Sequence, residues 1–141
     1  MLGYVMVGTN DLALATKFYD AALEPLNLIQ VECLDIYTAY APKDARDDIE
    51  LYVTKPFDQE TATVGNGSMI ALKAPSMEAL IQFHIIGQKM VEQMTAHRDH
   101  AKKEAILNMR MFATQTVTKF VHFMPKLKVN SLWMSNPVLS K

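Results

Sequence analysis

The stretch from Ser76 to Phe112, SMEALIQFHIIGQKMVEQMTAHRDHAKKEAILNMRMF, limits what this chain can fold into more than any other. No proline interrupts it, and Gly87 is its one weak interior position. Ser76 is suited to cap its N-terminus. Apolar residues fall at helical spacing at Leu80, Phe83, Ile86, Met90 and Met94, then at Ala101, Ala105, Leu107 and Phe112. The spacing predicts one helix over 76–112, roughly 55 Å long at 1.5 Å per residue. That is too long for one face of a small domain. Either the helix breaks near HRDHAKKE, or its far half packs on something outside its own module.

The totals set the remaining bounds. A chain of 141 residues can bury one real core but not two ordinary ones. With 50% apolar and 21% charged residues, a globular domain is expected rather than a disordered chain. A net charge of −1 offers no global field for nucleic acid or an anionic membrane, and Lys126 with Lys128 is too small a basic patch to bind nucleic acid. The single cysteine, Cys33, permits no internal disulfide, so a cytoplasmic setting is expected. No apolar run reaches the ~20 residues of a membrane span, and no basic segment with an apolar signal core opens the sequence. Ten methionines stand out, most of them after residue 68.

The first half alternates clearly. LGYVMVG (2–8) reads as a strand, and Thr9, Asn10 and Asp11 supply cap chemistry for a helix over 12–23. That helix puts Leu12, Ala15, Phe18, Tyr19 and Leu23 on one side, with Lys17 and Asp20 outward, and Pro25 ends it. Strands are expected over 28–34, 36–41 and 49–54. A loop carrying Pro56, Gly65, Asn66 and Gly67 then leads to a strand over 68–72 and the helix from Ser76. The order β-α-β-β-β followed by β-α predicts an α+β protein. It has a first βαβββ module at 1–67 and a second, incomplete module at 68–141, of which a first strand and the long helix remain.

Two separated motifs carry a resemblance. LGYVMVGTNDLALATKFYDAAL, followed by KPFDQETATVGNGSMIAL, resembles the glyoxalase/bleomycin resistance/extradiol dioxygenase superfamily, the vicinal oxygen chelate proteins. The match covers residues 1 to about 84. The resemblance implies two βαβββ modules whose curved sheets enclose a cleft, usually with a divalent metal and often across a dimer. It also implies metal ligands on the first strand, on the last strand of module one and on the first strand of module two, with a further carboxylate on the last strand of the chain. In this sequence the first position matches Tyr4 and the third falls at Ser68 or Met69, none a good ligand. Glu50 alone retains a donor, so neither a metal nor any other cofactor is expected. In the superfamily's metal-free branches the same cleft binds small molecules, which would make Tyr4, Glu50, Tyr52 and Met69 pocket residues. The plainer reading makes Tyr4 and Met69 core and Glu50 a solvated edge residue.

The tail departs from the superfamily. Its usual glycine-rich loop and closing AYVRDP(D/N)GNK hairpin are missing, and VEQMTAHRDHAKKE and NMRMFATQTVTKFVHFMPK stand in their place. Methionine has one codon and so constrains the neighbouring frame. If each new codon takes the third base of one codon and the first two of the next, Met90–Val91 must read Gly, Met94–Thr95 Asp and Met111–Phe112 Val. With permitted codons elsewhere, the stretch from Met90 reads GGTNDGTPGPRKKG and that from Met109 reads AYVRDPNGNKICAFY. Pro125–Lys126 can read as a stop. A base gained or lost between about His84 and Met90 would place the superfamily tail out of frame, and the coding DNA decides this.

Other constellations have bland readings. His97 and His100 with Asp99 and Glu104 fit a solvated helix face better than a metal cluster, Cys33 has no His at motif spacing, and Gly65–Gly67 is a turn rather than a phosphate loop. Segment 117–134 fits strand or helix equally. Three functions stay open: a frame-altered, catalytically inactive member that self-associates through the long helix and exposed sheet; a metal-independent protein or enzyme holding a small organic ligand between subunits; and a helix-mediated interaction module.

Overall fold

The computed structural model describes residues 2–63 and 70–95. The described chain runs β1 (Val5–Gly8), α1 (Leu12–Leu23), a 3-10 turn (Glu24–Leu26), β2 (Leu28–Cys33), β3 (Tyr37–Pro42), β4 (Leu51–Thr54) and α2 (Met77–Thr95). The four strands form one sheet in the order β1-β4-β3-β2. β1 runs parallel to β4, with Val5 opposite Leu51 and Gly8 opposite Thr54. The β2–β3 and β3–β4 pairs are antiparallel. This is the expected βαβββ module: the helix carries the chain back so that β1 and β4 lie side by side in one direction.

Local chemistry accounts for the bounds of α1. The Asp11 side chain accepts a hydrogen bond from the Leu14 backbone N–H at 2.9 Å, satisfying a donor that the first turn leaves without a partner. Asp11→Ala is expected to cost about 1 kcal/mol of stability, read as a lower urea midpoint at unchanged slope. At the other end Pro25 falls at the start of the 3-10 turn, where its missing N–H is harmless. Asn27 then takes the left-handed conformation (φ 62°) and donates its N–H to the Glu24 carbonyl, turning the chain into β2.

One face of the sheet is the core. Thr38 and Tyr40 of β3 and Leu51 and Val53 of β4 lie on it, packed against Ala15, Phe18, Tyr19, Ala22 and Leu23 of α1. Polar groups inside this layer are matched. The Tyr40 hydroxyl donates to Asp20 Oδ1 at 2.9 Å, and the Thr16 and Thr38 hydroxyls share a hydrogen bond of 2.8 Å. Asp20, expected outward, is exposed yet serves as the acceptor for a core tyrosine.

The long helix begins as expected, with Ser76 Oγ accepting from the Ala79 N–H at 3.1 Å. Leu80, Phe83, Val91 and Met94 are buried, a stripe at helical spacing, and α2 packs on α1 and on the 3-10 turn. Its expected continuation to Phe112, the polar cluster at 97–104 and the segment 117–134 lie outside the described residues. Ser68 and Met69 of the expected strand over 68–72 also lie outside them, while Ile70 to Leu72 make no ladder with the four strands. No helix among the described residues is long and apolar enough to cross a membrane.

Candidate functional site: the open face of the sheet

Alternation along the strands sends the neighbours of the core residues to the opposite face. Tyr4, Met6, Tyr37, Ala39, Ala41, Tyr52 and Thr54 share that face by register. The small side chains of Ala39 and Ala41 lie low, and three tyrosines stand beside them. Tyr52 on β4 is the middle ring. It meets Tyr4 at a centroid distance of 5.1 Å and an interplanar angle of 75°, and Tyr37 at 5.3 Å and 78°. Both contacts are edge-to-face, the arrangement that aromatic quadrupoles favour.

Charge on this face is acidic. Within the four strands Glu32 is the only Asp, Glu, Lys or Arg. The Tyr37 hydroxyl donates to Glu32 Oε2 at 2.8 Å. This hydrogen bond, with smaller contributions from desolvation and from the Glu32 charge, holds the Tyr37 phenol above its ordinary range. A bulge between Gln30 and Glu32 sets Glu32 opposite Ala39 and so brings it onto the face that holds Tyr37. Glu50 sits just ahead of β4 and is exposed; its carbonyl accepts the Val5 N–H at 2.9 Å, which places it opposite Tyr4.

Beside the tyrosines the face runs into an open groove of about 980 Å³, bordered by Met6, Ile36, Tyr37, Thr54, Lys55 and Phe57, among others. Its outer wall is the loop over 55–62, folded back on the end of β1. Asn10 locks that loop with two hydrogen bonds to Ala62: Nδ2 donates to the carbonyl at 3.0 Å, and Oδ1 accepts the N–H at 2.7 Å. Gly8 makes the approach feasible, because a Cβ at that position would lie 3.3 Å from the Ala62 Cβ. Gln59 adopts a left-handed backbone (φ 62°) at the turn of the wall, where its N–H reaches the Pro56 carbonyl.

Of the residues singled out in the sequence, Tyr4 and Tyr52 are brought into ring contact and Glu50 lies opposite Tyr4, while Met69 lies outside the described residues. Tyr4 is 54% exposed, so it is not a core residue. Sequence reasoning missed Tyr37, Glu32, Met6 and the groove-bordering Ile36 and Phe57. Only the two-residue period shared by β3 and β4 could have linked Tyr37 to Tyr52, and that needs the register.

Among the described residues the donor set does not fit a divalent metal. A phenol at Tyr4 and one carboxylate at Glu50 make no coordination sphere, and no group of three His, Cys, Asp or Glu residues comes together among the described residues. Cys33 is exposed and receives a weak contact from the Thr38 hydroxyl at 3.8 Å.

Titration of the module has a definite sign. Burial, aided by the Asp20 carboxylate, pushes the Tyr40 hydroxyl well above its ordinary 10.0, and burial does the same to Tyr19. Burial lowers His84 from its ordinary 6.5, and its half-buried ring leaves Nδ1 without a hydrogen-bond partner among the described residues. Above about pH 10 the unfolded chain releases phenolic protons that the folded chain keeps; below about pH 6.5 it takes up an imidazole proton that the folded chain refuses. Stability is therefore expected to fall on both sides of a plateau, as urea midpoints measured from pH 5 to 11 would report.

No family model and no curated protein matches the sequence. Among solved structures, a glyoxalase/bleomycin resistance protein from Albidiferax ferrireducens T118 is similar, with 33% sequence identity and a TM-score of 0.56. The similarity covers 63% of this chain and 71% of that one.

Proposed function

The chain belongs to the glyoxalase/bleomycin resistance, or vicinal oxygen chelate, superfamily, and on that premise we propose that it is a non-catalytic, self-associating member that holds a small organic molecule on the open sheet face without a metal. The tyrosine row carries this reading. A module whose helix covers one sheet face and whose other face presents Tyr4, Tyr52 and Tyr37 has an unsatisfied aromatic surface, and such surfaces are used for binding. Half a cleft is present in the described residues. A second copy supplies the facing wall, because the superfamily's usual glycine-rich loop and closing hairpin are missing from this sequence. Metal-assisted chemistry is not assigned, because Tyr4 and Glu50 do not form a donor set.

The helix-docking reading gains nothing from α2, whose apolar stripe over Met77–Thr95 is already buried against α1 and the 3-10 turn. The test compares this chain with a version whose reading frame is restored by one base near Met90. Sedimentation velocity over a range of concentrations should show this chain self-associating, and a screen of small aromatic and aliphatic probes should give saturable binding. A chain that stays monomeric at tens of micromolar and binds no probe, while the restored form binds, would sink the proposal.

A further inference from the structure

We infer that the ligand of the open face is a small organic cation of the quaternary ammonium class, taken up in the re-entrant corners between the rings of Tyr4, Tyr52 and Tyr37; this rests on the ligand-binding reading above. The geometry supplies the corners. At interplanar angles of 75° and 78°, with centroids 5.1 and 5.3 Å apart, neighbouring ring planes stand almost at right angles and two ring faces bound each corner. Ring faces carry the negative lobe of the aromatic quadrupole, and a cation within about 6 Å of a centroid is attracted to them. A neutral ligand would bury the same carbon surface without that attraction.

Charge around the rings agrees. Among the described residues, Glu32, Glu50 and Glu60 lie around the tyrosines and the adjoining groove, against Lys55 at the groove border. Glu32 acts twice. It adds a carboxylate at one end of the row, and by accepting the Tyr37 hydroxyl proton in a 2.8 Å hydrogen bond it pushes electron density into that ring, which strengthens its attraction for a cation. An anionic ligand would meet repulsion at both ends. The shape also suits the class: a trimethylammonium head presents methyl groups that pack on ring faces without needing hydrogen-bond acceptors on every side.

Three probes of one shape test this on the full chain by calorimetric titration: choline, its neutral isostere 3,3-dimethyl-1-butanol, and the anion 3,3-dimethylbutyrate. Choline is expected to bind roughly ten-fold more tightly than the alcohol, and the anion not to bind. Tyr52→Leu should remove choline binding, whereas Tyr52→Phe, which keeps the ring, should retain it. Glu32→Gln should weaken choline by a few-fold and leave the alcohol unchanged. If the alcohol or the anion binds as well as choline, the cation inference is overturned while ligand binding on this face stands. If none of the three binds, the inference falls together with the ligand-binding reading.

Discussion

Phe18→Ala is expected to remove about 3–5 kcal/mol of folding stability, a large part of what a domain of this size possesses. Phe18 is fully buried on the inner side of α1, in edge contact with Tyr19 at 5.1 Å, and belongs to the cluster that joins Leu51 and Val53 of the sheet to Leu80 and Phe83 of α2. Deleting the ring leaves a cavity bordered by three elements that cannot all close on it, so the cost exceeds the transfer energy of the lost carbons. Chemical denaturation should show a much lower midpoint with little change in slope. A loss below about 1 kcal/mol would mean that the helix–sheet layer is far looser than its packing indicates.

Tyr52→Asp has the other large expected effect, and it acts on association rather than folding. The side chain is half-buried on the open face and touches Tyr4 and Tyr37 there, away from the α1 layer. A carboxylate in the middle of that face would have to be desolvated for a second copy to cover it, with Glu32 and Glu50 already close by. Central interface residues of this kind contribute 2 kcal/mol or more, so the proposed self-association should weaken by roughly 30-fold or beyond. Sedimentation velocity should show the monomer, with an unchanged far-ultraviolet circular dichroism spectrum as the control for folding. Unaltered association would place the contact between copies elsewhere.

The two substitutions sit on opposite faces of one sheet, and that division marks what the sequence did and did not disclose. The helix over 12–23 was legible to the residue, because a capping aspartate, an apolar stripe and a proline each act locally. The four paired strands were legible to within three residues at each end, the largest error being the start of β1, for the same reason. Ring contact between Tyr4 and Tyr52 was foreshadowed only through the superfamily resemblance, which put both residues in one pocket. Tyr37 was not foreshadowed. Its place beside Tyr52 depends on β3–β4 register, and the approach of Glu32 depends on a bulge in β2, and neither is a property of any single strand's composition. The groove was hidden for a similar reason: its wall is held by Asn10 and Ala62, residues far apart in the chain and ordinary in isolation. Ile70 to Leu72 show the converse, a strand-like composition without a ladder among the described residues, since a strand exists only by pairing.

The parallel contact between β1 and β4 also orders events in time. The β2–β3–β4 meander is closed by short connections and can assemble early, but β1 must wait for a strand that follows most of the module in sequence. Val5 and Leu51 meet only after the intervening chain has taken shape. On a ribosome β1 would emerge before β4 and spend the interval as a short apolar segment without its partner. Substitutions in β1 should therefore act mainly on the unfolding rate, and those in the β3–β4 pair on the folding rate, a contrast that chevron measurements on Val7→Ala and Val53→Ala would display.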